Sequence, residues 1–242
     1  MKIIKVTIMF FLMIIITSCG KNPLITILNN EQQFILIENF ETYSPGNFTD
    51  GIGGWKILSE NGVVTISNTI YRTGNKSLSV VNSSSSTLFI LKREFIVSKD
   101  IIFMEGYMLV LDEGFGAAIG LTVGQSGDLP LSNLAILVSN CLAVDGKRKF
   151  AVAYYKKGGM PDNKYGGEYG TVVSDVQIFN NRWYKVKIKL DTGNKQWEIW
   201  IDDNKPNVGG SGNYDTLSGF ATSVIVAGYT GDAYFDDIKV TE

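Results

Sequence analysis

The 242-residue chain contains no histidine, and that absence removes much of the chemistry open to a protein of this size. Without an imidazole there is no Ser-His or Cys-His nucleophile, no histidine general base and no histidine-ligated zinc. Any reaction would have to run on carboxylates, tyrosines, lysines or arginines. Only two cysteines are present, Cys19 and Cys141, too few for a framework of several disulfides. Cys141 lies in the apolar run Leu134 to Leu142 and reads as a buried, inert thiol. Charged residues make up 19% against 45% hydrophobic, the balance of a chain that buries a core rather than staying disordered. Basic and acidic residues number 22 and 24, which gives no general pull toward nucleic acid or anionic lipid.

Long apolar runs are also missing, since the longest at the N-terminus, Val6 to Ile16, falls short of the ~18 residues normally needed to span a bilayer. Lys2 and Lys5 precede that run, and Thr17-Ser18-Cys19-Gly20 follows it. A charged start, a short apolar middle and small residues before a cut are the parts of a secretory signal. The stretch resembles a bacterial lipoprotein signal, in which the cysteine is lipidated and becomes the mature N-terminus. The resemblance implies a signal peptide over 1–18, a lipidated N-terminus with a short tether over 19–33, and a diacylglycerol thioether on Cys19, often with an added N-acyl chain. Two or more acyl chains anchor stably where one holds only marginally. The implied location is the bacterial cell envelope, on a membrane and facing outside the cytoplasm; an uncleaved anchor or an ordinary signal peptide are the alternatives. Loss of Lys2 and Lys5 leaves 20 basic against 24 acidic residues, a mature net charge of −4. Some 15 residues of tether reach at most about 50 Å, which keeps the domain near its membrane.

From Phe34 onward, short runs of Val, Ile, Phe, Tyr and Thr alternate with Gly, Asn, Asp and Ser, which is the grammar of strands and turns. The clearest unit is a hairpin, Trp183 to Leu190 and Gln196 to Asp202 around the turn Asp191 to Lys195. With side chains alternating at period two, Tyr184, Val186, Ile188 and Leu190 share a core face with Trp197, Ile199 and Ile201. Lys185, Lys187 and Lys189 then share the wet face with Glu198 and Trp200. Further strands are expected at intervals from Trp55 to Val240. So many strands without helices predict two stacked antiparallel sheets, with a closed barrel as the alternative. Two glycine-rich stretches, Lys156 to Thr171 and Asp203 to Gly219, read as long loops.

The motifs Glu38-Asn39-Phe40-Glu41, Gly54-Trp55, Gly74-Asn75-Lys76-Ser77-Leu78, Trp183 to Ile188, Trp200-Ile201-Asp202-Asp203 and Tyr234 to Val240 resemble the concanavalin A-like lectin/glucanase superfamily, in the jelly-roll branch that includes laminin-G-like domains. Galactose-binding-like jelly rolls share several of these motifs. The resemblance implies an all-β, two-sheet antiparallel jelly-roll β-sandwich over 34–242, with the first and last strands side by side. It also implies a structural calcium ion near that seam, with Glu41, Asp236 and Glu38 as candidate ligands. Calcium takes six to eight oxygens, which paired carboxylates and backbone carbonyls can supply. The competing account is carboxylates that cap backbone amides or sit in solvent.

Laminarinase-type members carry an E-x-D-x-x-E strand, because retaining hydrolysis needs two carboxylates ~5–5.5 Å apart on one sheet face. No such string occurs here, and Glu198 and Asp202 stand four apart. A lyase built on Tyr154, Tyr155, Arg148 or Lys156 is a second catalytic option. Sugar rings stack flat C–H faces on aromatic rings, so Trp200 on the wet hairpin face and Tyr165, Tyr169 and Tyr214 in the glycine-rich loops are candidate binding residues. For Trp200 the alternative is a ring covered by lysine stems. Glu105, with Phe103 and Tyr107 on the same side of its strand, could orient sugar hydroxyls; the alternative is a surface carboxylate paired with a neighbour. The function expected is a membrane-anchored, non-catalytic glycan-binding sandwich. A polysaccharide-degrading enzyme of the same fold and a protein-binding or structural lipoprotein are its rivals.

Overall fold

The computed structural model describes residues 33–59, 62–82, 89–111, 116–124, 133–142, 146–161, 168–215, 217–229 and 231–242. Cys19 and Tyr165 lie outside them. The strands, in chain order, are β1 (Phe34–Glu38), β2 (Gly46–Asn47), β3 (Trp55–Ile57), β4 (Val63–Ser67), β5 (Ser77–Asn82), β6 (Phe89–Glu94), β7 (Ile101–Val110) and β8 (Ala117–Val123). They continue as β9 (Leu134–Leu142), β10 (Arg148–Pro161), β11 (Glu168–Gln177), β12 (Arg182–Asp191), β13 (Gln196–Ile201), β14 (Ser211–Asn213), β15 (Ala221–Gly228) and β16 (Gly231–Thr241). Among the described residues the only helical turn is 3-10, at Ile52–Gly54.

Two antiparallel sheets result. One has nine strands in the order β14-β13-β12-β7-β16-β5-β4-β2, with β1 also on β16; the other has seven, β11-β10-β9-β8-β15-β6-β3. The fold class read from the sequence is therefore the one observed. The long closing strand explains how nine strands share one sheet. β5 pairs with Gly231 to Phe235 and β1 with Ile238 to Thr241, end to end along the same edge of β16. Between them the chain bulges at Asp236-Asp237, where Asp237 takes φ 50°.

β12 alternates as expected: Tyr184, Val186, Ile188 and Leu190 are buried, while Lys185, Lys187 and Lys189 are not. β13 buries Trp197, Ile199 and Ile201 and turns Glu198 and Trp200 outward. Gly212 on β14 faces the Trp197 indole so closely that a Cβ there would lie 2.5 Å from the ring, so only glycine lets the edge strand close over it. The main core lies between the sheets, around Trp55, Phe150, Tyr184, Trp197 and Phe235.

The stretch Lys156 to Thr171, expected as a long loop, is largely strand. β10 runs on to Pro161 and β11 begins at Glu168, and the two pair from Lys149↔Gln177 to Pro161↔Glu168 around a bulge. The other expected loop, Asp203 to Gly219, contains the short edge strand β14.

Candidate functional site

The outer face of the nine-stranded sheet carries a row of polar and aromatic side chains set by strand register. Trp200 on β13 stands opposite Lys187 on β12, Lys187 opposite Glu105 on β7, and Glu105 opposite Lys239 on β16. Phe103, Glu105, Lys187, Lys239 and Thr241, together with Phe34 of β1, line a shallow cavity of about 140 Å³. The period-two pattern of β7 puts Phe103 and Glu105 on this side, because Ile102 and Met104 take the core positions.

The charges here are tied to one another. The Lys185 ammonium donates to Asp203 at 3.0 Å and lies 3.4 Å from Glu105, and Asp203 first of all raises the lysine pKa. Glu198 accepts from Lys189 at 2.8 Å and from Lys205, and these two ammonium groups hold its carboxyl below the usual range. Lys239 lies 3.9 Å from Glu105. Lys187 differs: its ammonium sits over the rings of Phe103 at 5.1 Å and Trp200 at 5.5 Å. Lys205 also approaches the Trp200 ring, at 5.8 Å. Trp200 is thus half-buried on the wet face with lysines over it, the arrangement named above as the competing account.

The sequence-derived residues do not form a single platform. Glu105 and Trp200 share the face just described, whereas Tyr169 belongs to the other sheet. There it packs with Ile90, Leu137 and Ile225 on the outer side and meets Tyr155 edge-on at 6.4 Å. Tyr214 requires a correction: it is only 2% exposed, with burial pushing its phenol up to about 12. Its amide bonds Lys195 O, which draws the residue under the β12–β13 turn into the core. A ring held there cannot stack on a sugar. The catalytic options also separate. Glu198 lies on β13 whereas Asp202 lies beyond its end, in the turn at φ 49°, where it is occupied by the Lys185 amide and Arg182. Tyr154 packs at 5.6 Å against core Trp197.

The three residues considered for calcium lie near the seam where the first and last strands meet, but each is engaged elsewhere. Glu38 is buried and accepts from the Phe40 amide, the Tyr43 hydroxyl, Trp55 Nε1 and the Arg93 guanidinium, joining β1 of one sheet to β3 and β6 of the other. Glu41 accepts from the amides of Asn75 and Lys76 at 2.9 and 2.8 Å. Asp236 accepts from those of Arg72 and Thr73 at 3.0 and 3.2 Å. Glu41 and Asp236 thus grip the same loop from two sides. Gly74, at φ 64°, leaves room for the Glu41 carboxylate, which a Cβ would meet at 2.3 Å. The carbonyls of Glu41 and Tyr43 each accept from the Lys76 ammonium at 2.7 Å. The positive charges at this seam are the Lys76 ammonium and the Arg93 guanidinium. Among the described residues no three acidic or cysteine side chains converge as metal ligands, and the set does not fit calcium as it stands.

No protein-family model matches the chain, and no curated protein matches it in sequence. Solved structures share its fold at low identity. A sialidase is 10% identical over 86% of this chain with a TM-score of 0.54, although the chain spans only 18% of that protein's length. An endo-β-1,4-glucuronan lyase from the fungus Trichoderma reesei is 10% identical, covering 81% of this chain and 93% of the other, with a TM-score of 0.52. A carbohydrate esterase from Shiga toxin-encoding bacteriophage phi24B is 16% identical, covering 85% and 98%, also at 0.52. The likeness is one of fold, a jelly-roll sandwich.

Proposed function

We propose that the protein is a lipid-anchored envelope protein that captures glycan without catalysis. The observation that carries the reading is the row Trp200, Lys187, Glu105 and Lys239, of which Lys187, Glu105 and Lys239 line one open cavity with Phe34 and Phe103, and Trp200 stands beside it across from Lys187. Glu105 can accept from sugar hydroxyls, the lysines can donate to ring substituents, and Phe34, Phe103 and Trp200 offer apolar surface for C–H faces. The similar fold of a glucuronan lyase, a carbohydrate esterase and a sialidase supports a glycan as the kind of ligand. The engagement of the two hairpin carboxylates supports capture over turnover. Glu198 is held ionised by Lys189 and Lys205, and Asp202 is engaged with backbone and arginine, so neither is free to act as a proton donor.

The test is full-length protein in detergent on a glycan array, with reducing-end and unsaturated-product assays on whatever it retains. Retention without product supports the proposal. Product formation overturns the non-catalytic part, and no retention of any glycan overturns the whole. The anchor is tested separately. Cys19→Ala should move the protein out of the membrane fraction, and unchanged fractionation would refute lipidation at that residue.

A further inference from the structure

Within the glycan-binding reading, we infer that the ligand is an anionic glycan, its carboxylate or sulfate held by Lys187. The inference rests on that reading and adds the ligand's charge. Around the cavity and along the adjoining hairpin strands stand six cations, Arg182, Lys185, Lys187, Lys189, Lys205 and Lys239, against four carboxylates, Glu105, Glu198, Asp202 and Asp203. The chain as a whole has the opposite balance, 22 basic to 24 acidic. Positive charge is therefore gathered on this face.

Within the face, one cation is set apart. Arg182, Lys185, Lys189, Lys205 and Lys239 each lie within 4.0 Å of a carboxylate. Lys187 has only the π faces of Phe103 and Trp200 as partners, and among the described residues no carboxylate lies within that distance of it. Aromatic quadrupoles hold an ammonium in place without neutralising it. The charge remains for an incoming anion, and half-burial beside two rings makes a new charge-assisted contact stronger than one in open water. Lys239 flanks the cavity from the other side and Glu105 lies between them. An anion over Glu105 itself would be repelled, so the acid group belongs toward Lys187 and the hydroxyls of the same ring toward Glu105. A neutral sugar would use Glu105 and the rings but leave Lys187 unmatched.

The experiment is an array of matched oligosaccharides, uronate-bearing, sulfated and neutral, read with full-length protein at two salt concentrations. Binding should favour acidic members, fall as salt rises, and divide between the uronate and sulfate arms according to the acid group that fits. Lys187→Met should cost about ten-fold or more in affinity for the acidic ligand, the effect of one lost charge-assisted contact. Lys187→Arg should retain most of it, and Lys189→Met, whose ammonium already has a carboxylate, should change it little. Equal or better binding of neutral members overturns the inference and leaves glycan capture standing. Equal losses in Lys187→Met and Lys189→Met would mean diffuse attraction rather than a site, and also overturn it. Retention of no glycan at all overturns both.

Discussion

The two outer faces of the sandwich are made by the same kind of strand yet have opposite character. On the nine-stranded sheet, lysines, carboxylates and half-buried rings stand on the outward positions of β7, β12 and β13. On the seven-stranded sheet the outward positions of β6, β8, β9 and β15 hold Ile90, Ala118, Leu137, Ile225 and Ala227, all buried. Its central strands β8 and β15 therefore bury both faces, and their sequences are mostly apolar, interrupted by Thr122 in β8 and Thr222 and Ser223 in β15, whereas β12 alternates strictly. One sheet carries a wet, charged outer face, whereas on the other the outward apolar side chains are buried, with Lys92 among them paired to Glu94.

The largest test of that contrast is to exchange the two chemistries. Ile225→Lys would place an ammonium at a position with no exposure, opposite Lys92, and should lower unfolding free energy by ~3 kcal/mol or more. Lys187→Ile, the reverse change on the charged face, should cost less than about 1 kcal/mol in the same denaturant titration. Comparable losses would erase the distinction between the faces.

A similar contrast runs through β13 alone. Trp197→Ala empties the core and should destabilise by roughly 3 to 5 kcal/mol. Trp200→Ala should leave the fold intact and instead weaken glycan retention about five- to thirty-fold, the worth of ~1 to 2 kcal/mol of aromatic contact. Destabilisation by Trp200→Ala as severe as that of Trp197→Ala would contradict the parity of the strand.

At the seam, burial pushes the Asp236 carboxyl up to about 6 in spite of the amides of Arg72 and Thr73. The folded state therefore favours the protonated form. Its contribution is fully present below the ordinary pKa near 4 and is lost as pH rises through about 6, a fall on the order of 2 to 3 kcal/mol. Thermal unfolding followed from pH 4 to 7 should show this slope in the native protein and a weaker one in Asp236→Asn. A flat native profile would rule the shift out.

The smallest effect belongs to Tyr214. Its hydroxyl is buried without a hydrogen-bond partner among the described residues. Tyr214→Phe should leave melting temperature unchanged or slightly raised and glycan retention unaltered. Lost retention would return this residue to the binding surface.

These residues also show what the sequence could disclose. The facing of Trp197 and Trp200 was legible because alternation is a local rule, and β12 and β13 obey it without a bulge. The convergence of Glu41 and Asp236 on one seam followed from the resemblance, but their partners did not. Both turn to amides of the loop 72–76, a contact between segments more than 160 residues apart for Asp236. Tyr214 was misread because Asn213, Asp215 and nearby glycines signal an exposed turn, while its burial depends on pairing with distant Lys195 O. Glycines between Lys156 and Thr171 likewise concealed a long hairpin. Gly170 stands opposite Tyr154, where a Cβ would come within 2.6 Å of the ring, so that glycine serves packing within the sheet.

The placement of β1 has a mechanical meaning. Tension transmitted along the polypeptide from its N-terminal side enters the sandwich at Phe34, the first residue of β1 and a wall of the cavity. β1 is held by its ladder to β16, and at its far end by the bonds around Glu38. Pulled from Phe34, such a ladder opens rung by rung toward a clamp. The wall of the cavity would give way first, with the remaining sheet still folded behind Glu38. Strain arriving from that side therefore meets the cavity wall before it meets the bonds around Glu38.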